Sequence, residues 1–290
     1  MTPEQTFSAL QKVARAHGRA VQEILTLYVL ERFLARLVES TFADSFVLKG
    51  GVLLAGYGLR RPTRDVDMQA IDFVLDEEHC RHVVATVAAI DADDGLAFEA
   101  VPTREEQIRD DEEYSGLRVH VIARLYQSRI ALKLDISTGD PISPNAQQVM
   151  MPRVLGGEFP VMGHPPETIV AEKAVTIVQR GATSTRWRDY MDLRSLAHSR
   201  TFTETTLRTA IDRVAQHRNV ELSVPSASVA AHDDLAQQKW AAWRKKTDVE
   251  DITLQALNDQ LADVCAFLDP VFVDSARLAR EWNPITRSWN

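Results

Sequence analysis

Two aspartates, Asp65 and Asp67, stand two residues apart in a segment that alternates between polar and apolar residues. In a β-strand, residues two apart point to the same side, so these carboxylates would lie next to each other. Adjacent carboxylates repel each other, and a hard divalent cation with oxygen ligands relieves that repulsion. The spacing therefore predicts a Mg²⁺ site that also takes substrate phosphates.

A pair of glycines precedes the aspartates. Gly50 and Gly51 follow the apolar run 46–48 and come before Val-Leu-Leu-Ala, a pattern that favours a strand, a tight turn and a helix start. Glycines leave the backbone N–H groups of such a turn exposed, and a phosphate can approach closely because no side chain intervenes. We expect Lys49, Gly50 and Gly51 to bind the phosphates of a nucleotide.

The wider region resembles the AbiEii/MenT nucleotidyltransferase toxins. The resemblance rests on Leu-Glu-Arg-Phe-Leu-Ala-Arg-Leu at 30–37, Val-Leu-Lys-Gly-Gly at 47–51 and Arg-Pro-Thr-Arg-Asp-Val-Asp at 61–67. It extends over roughly the first two-thirds of the chain, judged by its motifs. One departure stands out, because many nucleotidyltransferases have serine where this chain has Gly51. The serine hydroxyl is then missing from the phosphate site, and backbone N–H groups would have to bind instead.

This resemblance implies a Mg²⁺-dependent enzyme with two metal ions. It would move a nucleoside monophosphate from an NTP, with a pyrimidine NTP expected, to the 3′ end of tRNA, which blocks aminoacylation and translation. A cognate antitoxin encoded nearby is implied as a partner. Alternatives with the same fold would modify a protein hydroxyl or a small molecule such as an antibiotic. A non-enzymatic RNA-binding module is a further alternative, although clustered carboxylates would repel an RNA backbone.

A third carboxylate, Asp135, falls in the second of two predicted strands, 120–125 and 129–137. Lys133, Asp135 and Ser137 alternate with Leu132, Leu134 and Ile136, so the polar side chains share one face. The nucleotidyltransferase pattern places a third metal-binding carboxylate on a strand beside the first pair, and Asp135 fits it. The other interpretation is a surface aspartate on an edge strand.

Two predicted helices in the second half carry the remaining site residues. A double proline at 165–166 starts the first helix, which contains Lys173. Asp189 and Asp192 are three residues apart on the second helix and share a face. The resemblance implies that Lys173 contacts the triphosphate and that Asp189 orients Lys173 or positions the acceptor. The alternative is an ordinary lysine–aspartate surface bridge, and the sequence leaves open which aspartate functions.

Arginines outnumber acids between residues 180 and 218. A basic helical lobe suits a phosphate-rich polymer, and we expect RNA contacts at Arg180, Arg186 and Arg188. Arginines scattered over several faces would be the alternative. Thr63 lies two residues before Asp65, so we hypothesise that its hydroxyl stands at the mouth of the nucleotide site. Phosphorylation there would oppose NTP binding through charge repulsion.

The predicted fold is α+β. A nucleotidyltransferase-like lobe at 1–157 would contain N-terminal helices at 3–40 and a mixed β-sheet at 46–155 with flanking helices. A C-terminal helical-bundle lobe would occupy 158–290. Net charge of −8 argues against a general nucleic-acid coat protein, and 2 cysteines provide no disulfide framework. No apolar run approaches membrane-spanning length, so we expect a soluble, cytoplasmic protein with no membrane partner.

Overall fold

The computed structural model describes residues 1–63, 65–71, 75–99, 104–108, 116–181, 185–230, 234–273 and 280–290, with the backbone alone at 104–108. Arg64, within the aspartate motif, lies outside the described residues. The chain forms two units. The first contains Met1–Gly139 and Gln147–Gly163, and the second contains Asp140–Ala146 and His164–Asn290.

An eight-stranded mixed sheet forms the centre of the first unit, in the order β3-β5-β6-β2-β1-β8-β7 with β4 paired to β5. The β2–β6 and β1–β8 pairs are parallel, and the others are antiparallel. The strands are β1 (Phe46–Lys49), β2 (Asp65–Ala70), β3 (Leu96–Phe98), β4 (Arg104–Ile108), β5 (Gly116–Leu125), β6 (Ser128–Ser137), β7 (Gln147–Pro152) and β8 (Glu158–Gly163).

The predicted sheet is present, and it extends beyond residue 155. β8 belongs to it because this strand pairs with both β1 and β7, whereas the predicted boundary assigned residues from 158 onwards to the helical lobe. Alternation along β6 holds as expected, with Leu132, Leu134 and Ile136 fully buried. That apolar face leaves the polar residues of the strand on the opposite side.

Four α-helices accompany this sheet in the described part of the first unit. They are α1 (Pro3–Ala16), α2 (Val21–Glu39), α3 (Gly50–Leu53) and α4 (Glu77–Ala88). The helices predicted at 3–40 are α1 and α2, which are separated where Gly18 adopts a left-handed conformation. Thr2 begins α1 with a capping box that includes Gln5. The helix expected after the glycine pair is only the single turn α3, followed by a short 3₁₀ segment, Leu54–Tyr57.

The second unit is mainly helical, which confirms the predicted α+β class with a helical C-terminal lobe. Its helices are α5 (Pro166–Arg180), α6 (Trp187–Ser199), α7 (Glu204–Arg218), α8 (Pro225–Val229), α9 (Asp234–Thr247) and α10 (Leu257–Phe272). None of the helices in the described part of the chain is both long and apolar enough to cross a bilayer.

The expectation of an all-helical C-terminal region was wrong in one respect. A small antiparallel sheet contains β9 (Phe202–Thr203), β10 (Glu281–Asn283) and β11 (Ser288–Trp289). Trp282 donates a hydrogen bond to the carbonyl of Ala197 at 2.7 Å, and Trp289 donates to that of Phe267 at 2.9 Å. These distant contacts hold strands that are too short to show a strand pattern in the sequence.

Candidate active site

A row of four charged residues crosses the sheet of the first unit. Lys49 on β1 pairs in register with Asp67 on β2, Asp67 pairs with Asp135 on β6, and Asp135 pairs with Arg118 on β5. Residues opposite one another on neighbouring strands share a face of the sheet. The order of charges is therefore positive, negative, negative, positive. Asp135 lies on a central strand, which removes the edge-strand interpretation.

The two inner carboxylates differ in their surroundings. Asp135 accepts two hydrogen bonds from Arg118, with Nε–Oδ1 and Nη2–Oδ2 distances of 2.7 Å each. Asp67 lies beside Asp65, which occupies the same face two residues earlier. Burial, followed by repulsion from Asp65 and Asp135, raises the pKa of Asp67 to about 6, although the charges of Lys49 and Arg61 lower it. Asp67 thus carries a charge that its protein surroundings oppose.

The glycine turn touches this carboxylate directly. Gly50 has a φ of +66°, and a Cβ built on it would lie 1.9 Å from Oδ2 of Asp67. Only glycine meets both conditions, because other residues are strained at this φ and would collide with the carboxylate. Gly51 follows in the same turn, with the guanidinium of Arg61 against it. The phosphate-binding turn predicted from the sequence therefore lies beside the predicted metal ligands.

Gly50→Ala should lower nucleotide transfer by about 10²-fold or more, because it displaces Asp67 by about an ångström. It should also destabilise the protein by about 1–3 kcal/mol through backbone strain. Gly58→Ala is the matched control, since Gly58 has a φ of +80° with open space around it. Steady-state kinetics and urea unfolding of both variants test this. Equal loss of activity in the two variants would show that strain alone is responsible.

The donor chemistry at Asp65 and Asp67 fits a Mg²⁺ ion. Two repelling carboxylates, one with a raised pKa, supply the hard oxygen ligands that the ion prefers, and substrate phosphates can complete the set. Within the described residues, no three His, Cys, Asp or Glu side chains converge as a metal-binding group. Asp135 is held by Arg118, so its predicted role as a third ligand remains a prediction that requires this ion pair to open.

Metal-free protein should become less stable, relative to Asp67→Asn, as pH rises from about 4.5 to 7.5. The folded-state pKa of Asp67, about 6, exceeds the ordinary value, so folding favours the protonated form and this contribution disappears as pH rises through 6. The difference should reach at most about 3 kcal/mol. Urea unfolding of both proteins in EDTA measures it, and parallel pH profiles would contradict the expectation.

Lys173 lies in the second unit, between the two predicted aspartates. Its Nζ is 2.6 Å from Oδ1 of Asp189 and 3.0 Å from Oδ2 of Asp192. Both aspartates lie on α6 and are buried, at 5% and 2% exposure, so this is no surface bridge. Arg186 adds an ion pair to Asp189 at 3.0 Å. Both carboxylates contact the ammonium, so proximity to Lys173 does not distinguish Asp189 from Asp192 as the functional carboxylate.

Many arginines of the second unit form ion pairs within that unit rather than a bare basic surface. Arg194 pairs with Asp263 at 2.7 Å, Arg218 pairs with Asp140, and Arg208 pairs with Asp212 at 2.8 Å. Among the three arginines predicted to contact RNA, Arg186 and Arg188 are exposed and Arg180 is half-buried. The charge count of residues 180–218 therefore overstates the basic surface available to a polymer.

Thr63 is not exposed at the mouth of a site, contrary to the hypothesis from its position in the sequence. Its side chain is buried at 4% exposure, and its hydroxyl lies 3.3 Å from the carbonyl of Arg61. A kinase needs an accessible hydroxyl, so phosphorylation of Thr63 is incompatible with this conformation. The sequence showed a turn threonine, but it did not show that Thr63 lines a cavity together with α2 and the β7–β8 hairpin.

Two residues of this site were missed at the level of sequence, Arg118 and Arg61. Arg118 could have been found, because the β5–β6 hairpin has a two-residue turn between Leu125 and Ser128. Counting seven residues away from the turn along each strand reaches Arg118 and Asp135. Arg61 has no such signal, since its approach to Gly51 depends on how residues 58–63 fold back.

A glycine turn against an aspartate pair on a mixed sheet is the arrangement of a nucleotidyltransferase. The family model described as nucleotidyl transferase AbiEii toxin of a type IV toxin–antitoxin system matches residues 32–269. The chain therefore belongs to the AbiEii nucleotidyltransferase toxin family, which confirms the resemblance found in the sequence. Membership implies a nucleotide substrate and an antitoxin partner.

Two solved structures that are similar to the chain come from Helicobacter pylori. One is a crystal structure described as that of a candidate nucleotidyltransferase, with 17% identity, a TM-score of 0.46, and coverage of 86% of this chain and 94% of the other. Another is JHP933, with 16% identity, a TM-score of 0.43, and coverage of 80% and 97% respectively. A comparison with curated proteins gives no match.

Proposed function

We propose that this toxin transfers a nucleoside monophosphate from a pyrimidine NTP to the 3′ end of tRNA and so blocks aminoacylation and translation. The observation that carries the proposal is the close approach of Gly50 to Asp67, with Asp65 on the same face. A turn that accepts phosphates and a carboxylate pair that accepts a cation then share one location. NTP with Mg²⁺ is a substrate that requires both.

Asp65 and Asp67 would hold Mg²⁺, with Asp135 as a further ligand if it leaves Arg118. When bound, two such ions would favour ionisation of the attacking hydroxyl and neutralise charge on the leaving phosphates. Lys49 and the backbone of Gly50 and Gly51 would orient the triphosphate. The 3′-hydroxyl oxygen would form a bond to the α-phosphorus and lose its proton to solvent, and the bond from that phosphorus to the α,β-bridging oxygen would break, which releases pyrophosphate.

Lys173 would contact the triphosphate as a compact positive charge. Asp189 and Asp192 support this role because together they hold the ammonium in one position. A lysine fixed in this way loses little conformational freedom when it binds a phosphate. Arg180, Arg186 and Arg188 are proposed to contact the tRNA backbone, where two exposed guanidinium groups could bind phosphates.

The acceptor is tested by incubating purified protein with total tRNA, Mg²⁺ and each α-labelled NTP separately. We expect label in the RNA with one pyrimidine NTP, and no label when Asp65 and Asp67 are both replaced by alanine. Periodate-oxidised tRNA, which lacks an intact 3′-terminal ribose, should remain unlabelled. Label in a protein fraction or in an added aminoglycoside, with none in RNA, would instead support the alternative acceptors.

A further inference from the structure

We propose that Arg61 supplies the side-chain contact to the triphosphate that many nucleotidyltransferases obtain from a serine after the first glycine of the turn. The inference rests on the proposed function, since it needs an NTP at the glycine turn. It changes the expectation that backbone N–H groups alone bind the phosphates. It also gives a reason for glycine at position 51.

The geometry at Gly51 points to a substitution of one phosphate-binding group for another. A Cβ built on Gly51 would lie 2.6 Å from Nη1 of Arg61 and 2.7 Å from both Cζ and Nη2. The guanidinium therefore occupies the space into which a serine side chain would project. A serine and this position of Arg61 exclude each other, so the turn can present one of the two groups.

The backbone does not account for glycine at this position. Gly50 has a positive φ that disfavours other residues, but Gly51 has no such φ. The steric demand at Gly51 comes from the Arg61 guanidinium alone among the nearest atoms. The two glycines thus have different roles, since Gly50 accommodates the Asp67 carboxylate and Gly51 accommodates the Arg61 guanidinium.

A carboxylate therefore lies against the first glycine of the turn, and a guanidinium lies against the second. A triphosphate at the turn would meet the cation held by Asp67 on one side and the guanidinium of Arg61 on the other. Arg61 is half-buried, and its Nη1 lies 3.4 Å from both the carbonyl of Pro62 and the hydroxyl of Thr63. A guanidinium fork matches the geometry of a phosphate and can bind it through two hydrogen bonds.

Arg60 provides a matched control for Arg61. It is the neighbouring residue with the same charge, but its Nη2 donates to the carbonyl of Pro152 at 3.1 Å. Its side chain therefore contacts the β7–β8 hairpin, and none of its atoms is among the three nearest to a Cβ built on Gly51. Comparison of Arg60→Ala with Arg61→Ala separates a specific phosphate contact from a general loss of positive charge.

The test measures affinity for an α,β-methylene NTP and for pyrophosphate by calorimetry, with Mg²⁺ present. Arg61→Ala should weaken both by about 10- to 100-fold, the loss expected for a charged hydrogen bond. Arg60→Ala should change them less than threefold. Thermal unfolding of each variant checks that it remains folded, and a structural role of Arg61 would lower the melting temperature without this loss of affinity.

The reciprocal variants make the test sharper. Gly51→Ser alone should weaken binding, because the new side chain displaces the guanidinium. Arg61→Ala with Gly51→Ser should bind more tightly than Arg61→Ala, because the hydroxyl now has space and replaces the lost contact. Wild-type affinity in Arg61→Ala, or no recovery in the double variant, would overturn the inference. Failure of the wild-type protein to bind any NTP would instead overturn the proposed function.

Discussion

Asp67→Asn should reduce nucleotide transfer by about 10³-fold or more and leave the metal-free protein as stable as the wild type, or more stable, at pH 7.5. The substitution keeps the shape of the side chain but removes the anionic ligand that would hold Mg²⁺. Several kcal/mol of transition-state stabilisation should be lost with it. The turn at Gly50 should keep its position, because the amide occupies the same volume.

Stability should respond in the opposite direction to activity. At pH 7.5 Asp67 is ionised, and burial with repulsion from Asp65 and Asp135 opposes that charge. The neutral amide removes these costs, although it also gives up the attraction of Lys49 and Arg61. Asp44 is an exposed residue of the same unit and provides the control. Asp44→Asn should change neither nucleotide transfer nor the stability of the metal-free protein.

Transfer to tRNA at saturating NTP and the free energy of urea unfolding in EDTA test both parts of this expectation. If folded Asp67→Asn retains nucleotide transfer, that result would contradict the assignment of Asp67 as a metal ligand. A large loss of stability in EDTA would show that the carboxylate has a structural role in the apo protein.

Lys173→Ala should also reduce the rate of nucleotide transfer by about 10²- to 10³-fold. It should in addition destabilise the second unit. The ammonium lies between two buried carboxylates, so its removal leaves Asp189 and Asp192 without their shared cation. Loss of one partner from a buried ion pair costs about 3–5 kcal/mol. Arg186, which still pairs with Asp189, would compensate for part of that loss.

Stability and chemistry can be separated with two further variants. Lys173→Arg keeps the positive charge and should remain folded, but a planar fork does not reproduce the compact ammonium, so transfer should stay below the wild-type rate. Lys173→Met combined with Asp192→Asn removes a cation and an anion together. It should recover stability relative to Lys173→Ala but recover no activity.

The kinetic measurement is kcat and KM for NTP, with unfolding monitored by circular dichroism. If Lys173→Ala remains folded and transfers at the wild-type rate, Lys173 does not contact the triphosphate. If the double variant is both stable and active, the buried cluster has only a structural role.

Local patterns in the sequence were sufficient for the class of protein and for much of the site. The turn at Gly50 and Gly51, the aspartates at 65 and 67, and the alternation in β6 all depend on residues close together in the chain. Local spacing specifies which side chains share a face, whatever the strand pairs with. The family resemblance, the α+β class and the helix that starts after Pro165 could be predicted for this reason.

Only the tertiary structure decided which distant residues meet. Pairing of β2 with β6 sets Asp135 beside Asp67, and pairing of β5 with β6 delivers Arg118 to the same row. Packing around the loop before β2 buries Thr63 and presses Arg61 against Gly51. Strand register and loop packing depend on the burial of apolar surface across the whole unit, which no short stretch of sequence encodes by itself.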